Sequence, residues 1–192
     1  MDGQIKIQDW FKQNRDYFRA ELNGFSNSPI LSYLSILPLI DRDGLILDIG
    51  SGNGMLLKFI LEFSKHKLIP FGIDLSVKAI KMAQEEILPQ FADNFLCADL
   101  DTCIPFNRKF EILICNPFHS KRSFSELMSY CLIAIGNDGK IIIRVHDDVL
   151  TNENIDCLEN YCRGANAKIN FSNSIGVNYG IIINGTNRDC LI

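Results

Sequence analysis

No apolar run in this 192-residue chain approaches the roughly 18 residues that a membrane-spanning helix needs. The segment from Met1 to Trp10 is polar and mixed in charge, which excludes a secretory signal there. No CxxC pair occurs among the seven cysteines, Cys97, Cys103, Cys115, Cys131, Cys157, Cys162 and Cys190. Their number is odd and several sit inside apolar, strand-like runs. That points to reduced thiols in a cytoplasmic protein, not to a disulfide framework or a bound metal. Basic charge is not in excess: the net charge is −4, which offers nucleic acid no global electrostatic grip and leaves only a local patch as a route. Internal repeats, low-complexity tracts and linkers are also missing. With this length, one domain over residues 1–192 is expected.

What is present is the composition of an ordinary globular protein, 47% hydrophobic and 22% charged, built around one stretch. Leu45-Ile46-Leu47-Asp48-Ile49 is a run of β-forming residues that carries an acid. Gly50-Ser51-Gly52-Asn53-Gly54 places three glycines at alternate positions, and a helical pattern starts at Met55. The sequence predicts a buried strand, a tight turn and a helix N-terminus, an arrangement that presents backbone N–H groups to a polar ligand. The spacing separates two classes of ligand. A dinucleotide fold uses Gly-x-Gly-x-x-Gly, with its third glycine one place later than Gly54.

The run from Asp48 through Gly50, Gly52 and Gly54 resembles motif I of the class I S-adenosylmethionine-dependent methyltransferases. The resemblance implies that the turn, with Ser51, holds the methionine part of S-adenosylmethionine and that Asp48 belongs to the same site. It covers about residues 28–146 and continues at successive strand ends. Strand two, Leu68 to Ile73, ends at Asp74-Leu75, where a carboxylate can accept both hydroxyls of a ribose. Strand three, Asn94 to Ala98, ends at Asp99-Leu100, where the acid can accept the adenine amine and the next N–H can donate to the ring. In open α/β sheets ligands bind beyond these carboxyl ends.

Strand four, Phe110 to Cys115, ends in Asn116-Pro117-Phe118-His119. Amino-methyltransferases carry Asn-Pro-Pro-Tyr or Asn-Pro-Pro-Phe at this spacing, and there the Asn holds the acceptor nitrogen. Here Phe118 replaces the second proline, and His119 the aromatic. The stretch also resembles the looser segment of small-molecule methyltransferases, in which a histidine often follows strand four. The resemblance assigns Asn116 to the catalytic and cofactor sites, and His119 to the catalytic site, as the group that takes a proton from the acceptor. His146, after strand five, is a second candidate for lining the acceptor pocket, and His66 reads as a solvated helix end.

Along the rest of the chain the pattern predicts an amphipathic helix from Ile5 to about Leu22, and a second that begins at Ser28-Pro29 and runs through Leu31, Leu34 and Leu37. The resemblance places these N-terminal helices, residues 1–42, over the cofactor site, with Tyr17 a minor candidate for ligand contact. Helices are expected from Met55 to about Lys65, from the Ser76 cap to Leu88, from Ser123 to Ile135 and from about Asn152 to Cys162. Asn137-Asp138-Gly139 turns into strand five, Lys140 to Val145, and two late strands lie near 167–171 and 178–183. Too few residues join these last two for a crossover helix, so they form an antiparallel hairpin.

The expected fold is α/β, a three-layer sandwich with a seven-stranded, mostly parallel sheet and an antiparallel last hairpin strand, of the class I methyltransferase type. The expected function is methyl transfer from S-adenosylmethionine, leaving S-adenosylhomocysteine, to a nitrogen, oxygen or carbon nucleophile. A small-molecule acceptor comes first, and a nucleic-acid base or protein side chain second. A catalytically inactive S-adenosylmethionine-binding partner protein and a nucleotide-binding oxidoreductase are the rivals from other classes.

Overall fold

A computed structural model of the chain describes residues 2–17, 29–99, 106–115, 124–145, 156, 159–160, 162–163, 167–174 and 177–184. Helix α1 (Asp2–Gln13) and helix α2 (Pro29–Ile36) precede strand β1 (Gly44–Ile49), helix α3 (Met55–Phe63) and strand β2 (Leu68–Asp74). Helix α4 (Val77–Met82) leads to strand β3 (Phe95–Cys97), followed by strand β4 (Phe110–Cys115), helix α5 (Phe124–Ala134) and strand β5 (Ile135–Val145). Strands β6 (Ala167–Ser174) and β7 (Val177–Asn184) come last.

The sheet order is β3-β2-β1-β4-β5-β7-β6. The five strands β1 to β5 are parallel, with β1 at the centre paired from Gly44↔Leu68 to Ile49↔Ile73 on one side and from Ile46↔Ile112 to Ile49↔Cys115 on the other. Strand β7 pairs antiparallel with both β5 and β6. Period-two alternation sorts the strand side chains onto two buried faces. Ile46, Ile112, Ile114 and Ile142 face a core shared with Trp10, Phe11, Tyr33, Met55, Phe59, Ile60 and Ile80, so α1 to α4 cover that side. Leu47, Ile49, Leu113, Ile141 and Ile143 face Leu127, Tyr130 and Cys131 of α5 together with Cys162. The chain reverses strand order at β1 and β4, and the glycine turn leaves β1 at that crevice.

Several boundaries differ from the pattern in the sequence. The first helix breaks at Asn14, whose own N–H and Nδ2 both bond the Trp10 carbonyl, at 3.0 and 2.8 Å, and a further helical turn covers 15–17. A side-chain amide that competes for backbone acceptors disfavours the helix interior. Helix α2 tightens into a 3₁₀ turn at Leu37–Leu39, which contains Pro38. Helix α3 stops at Phe63, two residues early. Ser76 caps α4 as its position implies, accepting from the Ala79 N–H at 3.2 Å, but the helix widens to a π segment at Ala83–Ile87 and then a 3₁₀ segment at Pro89–Asn94. Asn137-Asp138-Gly139 lies within β5 as an irregularity between the pairs Phe110↔Ile135 and Ile112↔Lys140, and Asp138 keeps a turn-like φ of 60°. The late helix is helical at 156, 159–160 and 162–163, its other positions lying outside the described residues, as do Ser28 and 18–22.

Candidate cofactor site

Where β1 ends, the chain stays pinned to the end of β2: the N–H groups of Gly50 and Ser51 both donate to the Ile73 carbonyl, at 2.8 and 3.0 Å. The turn closes when the Gly54 N–H reaches the Ser51 carbonyl at 2.9 Å. Gly50, Gly52 and Gly54 have φ of 80°, 54° and 81°, the left-handed region that side chains with a Cβ rarely enter. Their surroundings differ. A Cβ on Gly54 would press on the Phe95 ring at 3.2 Å, so that glycine lets α3 start against β3. A Cβ on Gly50 would meet no atom within 4 Å, so that glycine borders open space at the carboxyl ends of the strands.

Asp74 orders two turns at once. Its Oδ2 accepts from the Gly52 N–H and its Oδ1 from the Ser76 N–H, each at 2.8 Å. Each carboxylate oxygen keeps acceptor capacity for a further donor, as a ribose hydroxyl would require. Ala98 donates its N–H to the Asp74 carbonyl at 3.2 Å, which brings half-buried Asp99 to the same end of the sheet. Leu75 is 59% exposed beside it, with Val77 more open still. Asp48 is 3% exposed, paired across the sheet with Gly72 and Ile114, so it lies in the floor and not on the rim. Ser51 is buried, and its hydroxyl has no hydrogen-bond partner among the described residues.

Cys115 ends β4 beside Ile49 and Ile143, at the same end of the sheet as the glycine turn. Asn116, His119, Leu100 and His146 lie outside the described residues. The Cys131 thiol, fully buried and next to Cys115, is pushed well up by burial first and by Cys115 second, a setting that makes a thiol inert. Cys97, Cys115, Cys131 and Cys162 are free, and among the described residues no cluster of ligating side chains could hold a metal. No helix among the described residues is long and apolar enough to cross a membrane.

One residue departs from its reading in the sequence. His66 is not a solvated helix end: it is half-buried, with Nδ1 3.1 Å from Asp43 Oδ1, at the opposite end of the strands from the turn. Tyr17 meets the site through its backbone, because its carbonyl accepts from Asn53 Nδ2 at 3.2 Å. Asn53 was the residue to notice. A buried carboxamide between two glycines and two residues before a helical N–H is an Asx-turn signal, and its Oδ1 does accept from the Met55 N–H at 3.2 Å.

The sequence profile of the family described as "Methyltransferase small domain" matches residues 30–159. No curated protein matches the sequence. Among solved structures, a methyltransferase from Pyrococcus furiosus aligns with a TM-score of 0.66 at 14% identity, over 86% of this chain and 87% of that one. A TehB-like SAM-dependent methyltransferase from Corynebacterium glutamicum aligns with a TM-score of 0.63 at 15% identity, over 95% and 100%. An rRNA-methylase from Clostridium thermocellum gives 0.58 at 14% identity, over 85% and 98%. At such identities these are likenesses of fold.

Proposed function

This chain belongs to the methyltransferase small domain family and is a class I S-adenosylmethionine-dependent methyltransferase, and from that premise we propose which of its residues serve the transfer and what accepts the methyl group. The observation that carries the reading is the turn Gly50–Gly54, with its open space at Gly50 and its Gly52 N–H oriented by Asp74. Gly50, Ser51, Gly52 and Gly54 hold the methionine part, with Asp48 beneath them. Asp74 accepts the ribose hydroxyls, Leu75 covers the adenosine, and Asp99 and Leu100 hold the adenine. Asn116 borders both cofactor and acceptor. Residues 1–192 form one domain in which 1–42 cover this cradle, a reading supported by the bond from Asn53 to the Tyr17 carbonyl. The hairpin of β6 and β7 completes a seven-stranded sheet, and the free cysteines support a reducing, cytoplasmic setting.

When bound, S-adenosylmethionine supplies a methyl group on a sulfonium that is already an activated leaving group. The chain then has to align the acceptor, exclude water and find a place for a proton. The Asn116 carboxamide orients the nucleophile without charge, and an imidazole nitrogen of His119 takes its proton. The acceptor we favour is a small molecule, on the strength of a net charge of −4. A nucleic-acid base is the second reading, favoured by the fold shared with an rRNA-methylase.

The test uses S-adenosylmethionine labelled in its methyl group, incubated with cell extract to find the acceptor. Asn116→Ala is expected to hold its S-adenosylmethionine affinity within a few-fold and to lose about 10²-fold or more in transfer. His119→Ala loses less, and its deficit shrinks as pH rises. Transfer at the parent rate by Asn116→Ala would sink the assignment.

A further inference from the structure

We propose that Asn53 is a positioning residue that joins residues 2–17 to the glycine turn, so that filling the cofactor cradle and holding the N-terminal segment in place are one linked equilibrium. The inference rests on the cofactor reading above. Asn53 stands between Gly52, whose N–H is held by Asp74, and Gly54, which begins α3. Asn53 is 2% exposed, and both ends of its carboxamide are in use. Oδ1 accepts from the Met55 N–H at 3.2 Å, while Nδ2 donates to the Tyr17 carbonyl at 3.2 Å and lies 3.5 Å from Met82 Sδ. The turn is thereby tied to the first residue of α3, to the last of α4 and to the N-terminal segment.

On its other side the tie ends a chain of contacts. Tyr17 donates its N–H to the Asn14 carbonyl at 3.1 Å, and Asn14 bonds back to Trp10. Trp10 and Phe11 pack on Phe59 of α3, with ring centroids 5.2 and 5.6 Å away. Residues 10–17 are therefore anchored to α3 at one end and to the glycine turn at the other. A ligand that narrows the excursions of Gly50–Gly54 steadies Asn53, and with it Tyr17. Linkage makes the effect reciprocal.

Hydrogen–deuterium exchange of residues 2–17 in the full chain, with and without S-adenosylhomocysteine, tests this in the parent and in Asn53→Asp. Aspartate keeps an oxygen for the Met55 N–H and forms an Asx turn as asparagine does. It lacks the donor to Tyr17 and sets a carboxylate against that carbonyl. Saturating S-adenosylhomocysteine is expected to slow exchange in 2–17 about tenfold in the parent. In Asn53→Asp that protection is lost, although the ligand still binds, about tenfold more weakly by calorimetry. Protection in Asn53→Asp equal to that of the parent would reduce Asn53 to an Asx-turn residue and overturn the proposal. The parent decides even if the variant does not fold: calorimetric binding with unchanged exchange in 2–17 overturns the linkage alone. A folded parent that binds no S-adenosylhomocysteine overturns the cofactor reading, and the linkage with it.

Discussion

Two carboxylates at opposite ends of the strands do different work. Asp74 holds the Gly52 and Ser76 N–H groups, so Asp74→Ala removes an acceptor from two turns as well as from the proposed ribose contact. S-adenosylmethionine affinity is expected to fall by roughly 1.5–3 kcal/mol, the range for hydrogen bonds to a charged group. Calorimetry that finds it unchanged would leave Asp74 a purely structural residue. Asp41 instead receives Lys140 Nζ at 2.6 Å, and that ammonium also donates to the Leu39 carbonyl. Burial on its own would raise the Asp41 carboxyl, but hydrogen bonds from Arg42 and Lys140 and their charges outweigh it and lower the pKa from 3.8 to about 2. The folded value lies below the unfolded one, so this contribution is complete above pH 3.8 and is lost as the pH falls through about 2. Asp41→Asn should flatten that acid limb of a denaturation-against-pH curve. At neutral pH it leaves Lys140, 8% exposed, without its counter-charge. Because Asp41 is itself 44% exposed, solvent screens the pair, and a loss of about 1–3 kcal/mol is expected, less than for a fully buried pair.

At the level of elements, α3 is the post on which the N-terminal helices lean. Its fully buried Phe59 meets Trp10, Phe11, Tyr33 and Phe63 with ring centroids 5.2, 5.6, 5.5 and 4.8 Å away. Phe59→Ala opens a cavity between three helices and is expected to cost about 3–5 kcal/mol. Phe59→Leu, which keeps most of the volume, should cost less than half of that. Urea unfolding followed by the fluorescence of Trp10, the single tryptophan, checks both. Equal losses in the two variants would show that ring geometry, not volume, holds the helices. Strand ends were the elements most legible in the sequence. β4 falls on Phe110–Cys115 as its apolar run implies, and β2 runs one residue past Ile73 to take in Asp74. Helix ends were less legible, because Asn14 and the π segment at Ala83–Ile87 redirect backbone bonds that periodicity alone does not reveal.

For the whole molecule, a ligand seated at the crevice between β1 and β4 stabilises the native state alone. S-adenosylmethionine at a hundredfold excess over Kd should add about 2.7 kcal/mol and raise Tm, while NADH should leave it unchanged. A shift with NADH would point back to dinucleotide chemistry. The small-molecule acceptor proposed above is tested at this scale too, because its support is the net charge of the chain. With a net charge of −4, labelled methyl groups are expected in the small-molecule fraction of an extract. Label that nuclease releases from a macromolecular fraction would favour the nucleic-acid reading.

Sequence alone determined the local grammar of the site: an apolar strand, glycines at 50, 52 and 54 and a helix start at Met55. That is so because positive φ at a turn and period-two burial are energetic demands met within a few neighbouring residues. The place of Asp74 at the end of β2 was legible for the same reason, whereas β3 stops at Cys97, two residues before Asp99. Tertiary structure decided what those acids and amides touch. Asn53 meets a carbonyl 36 residues away and Lys140 a carboxylate 99 residues away. Phe95 packs where a side chain on Gly72 would have to stand. Such pairings depend on the order in which strands line up and on how the intervening chain closes. No local pattern encodes those distances, because the free energy that selects them comes from burying both sheet faces at once.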